Sequence, residues 1–249
     1  MNVGILSIAT GKYIQFLESL YRSIEKFFLL DHKKTYIIFT DNPKEAEDIT
    51  GRLGIDSVVF QIERKGFPGD TLYRYHHFSN ARESLKSMGE NCPKALFYMD
   101  ADMLIVDNVG DEILPTRYKS IIATAHPGFY MRPGHNPYGT PETNSNSKAF
   151  IPHNRWRPCY WAGGFNGGSF EAFMSVSNAI KGRIDEDDKN GIMAVWHDES
   201  HLNSYLTEQW MFDQVKTLSP SYCYPESWNI PFEKKIIALD KNHKEIRNV

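Results

Sequence analysis

Three cysteines in 249 residues, Cys92, Cys159 and Cys223, are too few and too scattered for a disulfide framework or a zinc site. That scarcity points to a reducing compartment. No apolar run approaches the roughly 20 residues needed to cross a bilayer, and the first residues show no basic stretch followed by an apolar core, so no secretory leader is expected. Charge of one sign is also missing: 28 Lys and Arg stand against 31 Asp and Glu, a net charge of −3. A balance this even gives no electrostatic reason to expect nucleic acid or an anionic membrane as partner. A Gly-x-Gly-x-x-Gly fingerprint is absent too. What is present, 41% hydrophobic and 24% charged residues, is ordinary for a soluble globular protein. The length suits one large α/β domain or two small ones, and the expected setting is cytoplasmic, peripheral to a membrane at most.

The first 110 residues alternate between strand and helix patterns. Residues 2–9 read as a buried strand, followed by the sharp turn Thr10-Gly11. Apolar positions at helical spacing then run through residues 13–30 (Ile14, Leu17, Leu20, Ile24, Phe27). Residues 34–41 and 57–62 read as two further strands, residues 71–88 as a helix, and residues 95–99 as a short, wholly apolar strand. Such alternation predicts a mostly parallel, doubly wound sheet with helices on both faces. Residues 121–125 give one more strand. Residues 132–146, rich in Pro, Gly, Asn and Thr, form a loop long enough to suggest binding. Residues 158–168 carry four glycines beside three aromatics, read as a ligand-facing segment or as a tight turn between strands. A helix is expected over 169–181, with Asp185-Glu186-Asp187-Asp188 as its solvated acidic edge.

Two stretches carry chemistry. Asp100-Ala101-Asp102 follows the apolar strand at 95–99, and at i and i+2 on a regular strand both carboxylates leave one face. Open α/β sheets bind ligands at the carboxyl ends of their strands. The pair reads either as an oxygen clamp for Mg²⁺ or Mn²⁺ with a diphosphate, or as a solvated pair in a turn. The second stretch is Trp196-His197-Asp198-Glu199-Ser200-His201-Leu202-Asn203. Its two histidines lack the Glu of a zinc-binding His-Glu-x-x-His helix. A solvent-facing helix start with Asp198 as N-cap is the bland alternative. The chemical one places carboxylates beside a sugar's anomeric carbon, where they stabilise oxocarbenium character or attack it.

Together with Thr40-Asp41, His126-Pro127-Gly128, Ala149 to Pro152, Ala162-Gly163-Gly164, Leu218-Ser219-Pro220, Lys241 to His243 and Arg247-Asn248, these segments resemble glycosyltransferase family six along almost the whole chain. That is the family of the ABO blood-group transferases and α-1,3-galactosyltransferases. The resemblance implies a GT-A type nucleotide-sugar-binding fold and a single catalytic domain over 1–249, with a nucleotide-sugar half at 1–110. An acceptor half at 111–249 would end in a tail that closes over UDP. It implies a retaining α-1,3-transfer of N-acetylgalactosamine (GalNAc) or galactose from a UDP-sugar to the 3-hydroxyl of a galactoside, one bearing α-1,2-linked fucose in the histo-blood-group manner. Ile8, Ala9 and Tyr13 resemble the uridine-binding segment, and Arg74 the arginine that reaches the donor. Asp100 and Asp102 resemble the metal–diphosphate motif for Mn²⁺ or Mg²⁺. Glu199 matches the nucleophile or oxocarbenium stabiliser and Asp198 a donor-sugar ligand. His126, Thr140 and Trp196 match acceptor contacts, and Lys241 and Arg247 the tail.

Some features depart from the animal members of that family. The chain is expected to start at the catalytic domain without an anchor or stem, as in a microbial or viral member. Many bacterial members have Asn at both motif positions and work without metal, whereas Asp100 and Asp102 are both present. Where the family carries Trp-Asp after its Leu-Ser-Pro-x-Tyr, the chain reads Cys223-Tyr224-Pro225-Glu226, so Glu226 is expected to substitute for an acceptor-binding aspartate. In the family the first and third positions of Ala162-Gly163-Gly164 line the pocket around C2 of the donor sugar; all three are small here, so the resemblance implies room for GalNAc, the donor expected over galactose. A catalytically idle sugar-binding protein on the same fold is the alternative of another class.

Overall fold

In the computed structural model, which describes residues 1–247 apart from the Arg247 side chain, the apolar runs of the first half become parallel strands. β1 (Asn2–Ile8), β2 (Lys33–Thr40), β3 (Ser57–Gln61) and β4 (Ala95–Met99) lie in the order β3-β2-β1-β4. Their side chains alternate between two cores. Val3, Ile5, Tyr36, Ile38 and Phe97 face one side, while Leu6, Ile37, Phe39, Leu96 and Tyr98 face the other, as the two-residue period of a strand requires. Helix α1 (Leu17–Phe27) seals the first core through Leu17, Leu20, Tyr21 and Ile24. It is entered through a 3₁₀ turn, Gly11–Phe16, rather than starting as the regular helix expected from residue 13. α2 (Pro43–Leu53) joins it, capped by the Asn42 side chain at one end and by left-handed Gly54 at the other.

The helix expected over 71–88 is bent into three pieces: α3 (Gly69–Leu72), α4 (Arg74–Asn80) and α5 (Arg82–Lys86). Tyr73, at φ −92° and ψ 12°, breaks the run. The bend lets Tyr75, Phe78 and Leu85 cover the second core.

The second half completes the sheet. β5 (Met103–Ile105) leaves it, β6 (Ile121–Ala125) and β8 (Val215–Leu218) pair in parallel, and β7 (Trp161–Ser169) runs antiparallel between β4 and β6. The full order is β3-β2-β1-β4-β7-β6-β8, a mostly parallel mixed sheet flanked by helices. The glycine-rich segment is thus a central strand and not a tight turn. A Cβ on Gly167 would lie 2.5 Å from the Leu96 carbonyl oxygen and from the Phe97 ring, so only glycine lets these backbones pack. β9 (Tyr224–Pro225) and β10 (Ile236–Ala238) form a small sheet with β5, and strands this short leave no readable period in the sequence.

α6 (Phe170–Lys189) continues two turns past the expected end at 181. Its acidic edge is not simply solvated. Asp185 meets His76 at 2.9 Å and Asp188 accepts from the Tyr73 hydroxyl at 2.8 Å. Asp187 is buried, accepting from Ser147 Oγ at 2.5 Å and the Lys148 amide at 2.7 Å. α7 (His197–Trp210) and α8 (His243–Arg247) complete the chain. Among the described residues, no helix is long and apolar enough to cross a membrane.

Candidate active site

The carboxyl ends of β1 and β4 and the first residues of β7 converge on a cleft of about 430 Å³. Antiparallel β7 brings its amino end to the place where its parallel neighbours finish. One side of the cleft is built from Ile8, Thr10 and Tyr13. Ala9 lies behind it, fully buried, its amide donating to the Phe39 carbonyl and its carbonyl accepting from Thr40 Oγ1. Gly11, at φ +53°, donates its amide to Asp41 Oδ1 at 2.9 Å. Thr10 Oγ1 donates to Asp70 Oδ2 at 2.8 Å and so ties this turn to α3.

β4 ends at Met99, so Asp100-Ala101-Asp102 lies in a turn and not on a regular strand. The Asp100 amide donates to the Gly164 carbonyl at 3.0 Å, and the Met103 amide to the Asp100 carbonyl at 3.1 Å. Both carboxylates still line the cleft. Asp100 Oδ1 accepts from the Tyr98 hydroxyl at 2.5 Å and from Arg74 Nη1 at 3.3 Å. Asp102 Oδ2 is met by Lys241 Nζ, and the Asp102 carbonyl accepts from the Leu239 amide at 2.9 Å. The C-terminal segment is therefore already seated on the motif. Lys241 also lies over the Tyr13 ring, 5.6 Å from its centroid.

Arg74 is the hub. Its guanidinium is buried, with Nη1 3.1 Å from the Gly163 carbonyl, Nε 3.2 Å from the Thr71 carbonyl, and its centre 4.7 Å above the Tyr98 ring. Arg74 Nε also lies 2.9 Å from Asp198 Oδ2. Asp198 is not a solvent-facing N-cap: Trp196 holds that position without a side-chain cap, and Asp198 is 1% exposed. Burial pushes the Asp198 carboxyl up to about 6, held back by Arg74. Glu199, next in the first turn of α7, accepts the Gly163 amide on Oε2 at 2.7 Å. Burial lifts its carboxyl to about 7, opposed by the Gly163 bond and reinforced by Asp198.

Asn203 braces this arrangement. Fully buried one turn along α7, it accepts the Trp161 amide at 2.8 Å and donates to the Trp161 carbonyl at 2.8 Å and the Glu199 carbonyl at 2.9 Å. Gly163 and Gly164 line the cleft, while Ala162 sits just behind them, 3% exposed.

The residues expected on the acceptor side divide. Trp196 is half exposed at the cleft and donates from Nε1 to Thr140 Oγ1 at 2.6 Å. His126, at the end of β6, accepts the Gly128 amide on Nδ1 at 3.0 Å, and burial lowers its pKa to about 4. Glu226 does not reach the cleft. It is exposed and accepts the Asp240 amide on Oε2 at 2.9 Å, because Pro225 pairs with Ala238 in the small sheet. The Arg247 side chain and Asn248 lie outside the described residues.

The two histidines of the octet part company. His201 is buried with Nε2 3.6 Å from Asp187, whereas His197 lines the cleft beside the Phe67 ring. The two imidazoles thus have separate surroundings, and no cluster of three or more His, Cys, Asp or Glu side chains able to hold a metal occurs among the described residues. The residues fit a different cation. Asp70, Asp100, Asp102, Asp198 and Glu199 give the cleft five carboxylates against three cationic side chains, Arg64, Arg74 and Lys241. A pair of carboxylate ligands completed by phosphate oxygens is the usual setting of a hard divalent ion.

Sequence reasoning missed Tyr98, Asp70, Arg64 and Asn203 as parts of the site. Tyr98 reads as one more apolar residue of β4. Asn203 is the last residue of the octet, and its helical spacing of four from Glu199 was the available signal.

A family model described as "Glycosyltransferase family 6" matches residues 1–248. Similar proteins include "Histo-blood group ABO system transferase 1" of Rattus norvegicus, 34% identical over 255 residues, covering 99% of this chain and 69% of that protein. "Globoside alpha-1,3-N-acetylgalactosaminyltransferase 1" of Gallus gallus is 31% identical over 253 residues, 100% of this chain and 70% of that protein. "O-antigen biosynthesis glycosyltransferase WbnI" of Escherichia coli is 26% identical over 245 residues, 98% of this chain and 97% of that protein.

Proposed function

We infer, because the chain belongs to glycosyltransferase family 6, that it is a hexosyltransferase moving GalNAc or galactose from a nucleotide sugar to the 3-hydroxyl of a galactoside in α-1,3 linkage, with retention. UDP-GalNAc is the donor we favour and a galactoside carrying α-1,2-linked fucose the acceptor. The single observation that carries this reading is Glu199. It is a desolvated carboxylate with Oε2 held on the Gly163 amide, beside Asp198 and Arg74 and in the same cleft as Asp100 and Asp102.

In this reading Ile8 and Tyr13 receive the uridine, and buried Ala9 backs them from behind the wall of the cleft. Lys241, Arg247 and Arg74 offset charge on the diphosphate. Asp100 and Asp102 would hold a divalent cation, Mn²⁺ or Mg²⁺, which when bound neutralises the leaving diphosphate. Asp198 and the small surface of Ala162, Gly163 and Gly164 hold the sugar. Bond cleavage builds positive charge at the anomeric carbon, and Glu199 supplies the facing negative charge. A covalent retaining route uses such a carboxylate as its nucleophile, and on a same-face route its charge stabilises the oxocarbenium character that develops. The Gly163 amide fixes that carboxylate before the reaction begins, so little reorganisation is needed as charge develops. His126, Thr140 and Trp196 orient the acceptor; Glu226 is not part of this wall in the present arrangement.

We take residues 1–249 as one catalytic unit, a view supported by a sheet that draws strands from both halves. The free Cys92, Cys159 and Cys223 support a cytoplasmic setting. The experiment is product identification from a panel of UDP-sugars and galactosides, with and without α-1,2-linked fucose, with the anomeric configuration read by NMR. An α-1,3-linked product is expected. UDP binding with neither transfer nor hydrolysis across the panel would overturn the reading in favour of an idle sugar-binding protein.

A further inference from the structure

Glu142 lies outside the cleft, yet it is only 6% exposed and spends both carboxylate oxygens on backbone amides. Oε1 accepts from the Asn144 amide at 2.7 Å and Oε2 from the Val195 amide at 2.7 Å. Val195 immediately precedes Trp196, and two residues further on begin Asp198 and Glu199. Two residues before Glu142, Thr140 accepts from Trp196 Nε1 at 2.6 Å. One short segment, 140–142, is thus bonded twice to one other short segment, 195–196. The far end of the same loop is fixed separately. The Ile151 amide donates to the Glu142 carbonyl at 3.2 Å, and Asp187 holds Ser147 and Lys148.

We propose that Glu142 is a positioning residue for acceptor recognition, latching the loop at 132–151 to the approach of α7 so that Thr140 and Trp196 form one preassembled wall of the acceptor groove. A charge-assisted bond to a buried amide is about twice as strong as a neutral one. The Thr140–Trp196 contact lies at an exposed surface, where water competes for both partners. The partly buried, charge-assisted Glu142–Val195 bond therefore sets the relative placement, and the surface bond follows it. None of these contacts touches β1, Asp100 or Asp102, so the latch leaves the uridine and diphosphate end of the cleft alone.

The inference rests on the transferase reading, and the test separates the two. Wild type, Glu142→Ala, Glu142→Gln and Thr140→Val are compared for UDP affinity by calorimetry, for slow hydrolysis of the UDP-sugar, and for donor and acceptor KM in transfer. Glu142→Ala is expected to raise acceptor KM about tenfold, a change worth about 1.4 kcal/mol, with UDP affinity within twofold of wild type. Glu142→Gln retains one accepting oxygen but turns an amide NH₂ toward the other N–H, so it should fall between the two. Thr140→Val alters the acceptor wall itself and serves as the reference for a raised acceptor KM, while Glu142→Gln decides the matter if Glu142→Ala does not fold. Unchanged acceptor KM overturns the proposal. So does a parallel fall in transfer, hydrolysis and UDP affinity, which marks general loss of structure. A wild type that neither transfers nor hydrolyses overturns the transferase reading instead.

Discussion

The backbone amide of Gly163 donates to Glu199 Oε2 at 2.7 Å, joining the antiparallel strand of the sheet to the first turn of α7. The same Gly163 gives its carbonyl to Arg74 Nη1 at 3.1 Å. One peptide neighbourhood thus holds the carboxylate proposed to face the anomeric carbon and the guanidinium that pairs with Asp198.

Glu199→Gln keeps the size of the side chain and an oxygen for the Gly163 amide while deleting the charge. Loss of an electrostatic stabiliser of this kind costs on the order of 100-fold or more in kcat. UDP affinity should hold, since the carboxylate faces the sugar. Steady-state kinetics with parallel calorimetry checks both, and near-normal turnover would remove Glu199 from the mechanism.

A carboxyl raised to about 7 must lose its proton to act as a negative charge. Transfer, read as kcat/KM, should therefore rise with pH and level off above about 7, with Asp198 at about 6 broadening the acid limb. Stability runs the other way. The folded value lies above the ordinary 4.5, so the folded state binds the proton more tightly than the unfolded one. The stabilisation from that proton is complete below about 4.5 and is lost as pH rises through about 7. Glu199→Gln should accordingly raise Tm at pH 8 by about 3 °C or more, with little effect at pH 4. A flat pH–rate profile, or a lower Tm at pH 8, would contradict the placement of this carboxylate.

Among the described residues, five carboxyl side chains stand against three cationic ones in the cleft, so a diphosphate entering it calls for added positive charge. Chelation with EDTA should abolish transfer and Mn²⁺ should restore it. Asp102→Asn should weaken Mn²⁺ binding measured by calorimetry in the presence of UDP. Full activity in chelator would show that Lys241 and Arg74 neutralise the leaving group unaided.

Gly164 is packed more tightly than its sequence context suggests. A Cβ there would lie 2.7 Å from Met103 Cε and 3.0 Å from Asp100 Oδ2. Gly164→Ala should therefore force Met103 and the Asp100 carboxylate to give way beside the sugar pocket and shift the GalNAc-to-galactose ratio of kcat/KM about tenfold toward galactose, the scale of one methyl group in a specificity pocket. A wild type that prefers UDP-Gal, or an unchanged ratio in the variant, would count against a GalNAc donor.

Asn203→Ala removes three hydrogen bonds, two of them buried, and strands the Trp161 amide and carbonyl. A buried unsatisfied group costs about 1–3 kcal/mol, so thermal denaturation should show a Tm lower by about 5–10 °C. A Tm within a degree of wild type would mean that β7 and α7 are held by other contacts.

Much of this was legible in the residues. The apolar runs at 2–9, 34–41, 57–62 and 95–99 alternate between two cores, and that pattern alone predicts covered parallel strands. Asp100, Asp102, Asp198, Glu199, Arg74 and Lys241 do share one cleft. The direction of residues 161–169 was not legible: glycine has no side chain to report a face, and the strand exists because Leu96, Phe97 and Ser120 leave room for nothing larger. Glu226 looked like a replacement for a missing aspartate, but pairing of Pro225 with Ala238 turns it toward Asp240. Asp187 looked like part of a solvated run, because nothing local announces that Ser147 and Lys148 will come to it from 40 and 39 positions away.

The single reversed strand also sets a timetable for synthesis. β4 emerges from the ribosome with β1 to pair on one side, but its other neighbour, β7, is encoded more than sixty residues later. Until residue 169 is out, a nascent chain carries β4 as an open edge of five buried-type residues, Ala95 to Met99. Unpaired apolar edges of this kind recruit other chains. Early termination anywhere between 100 and 160 should consequently yield insoluble fragments, and chaperone demand should peak over that window of translation.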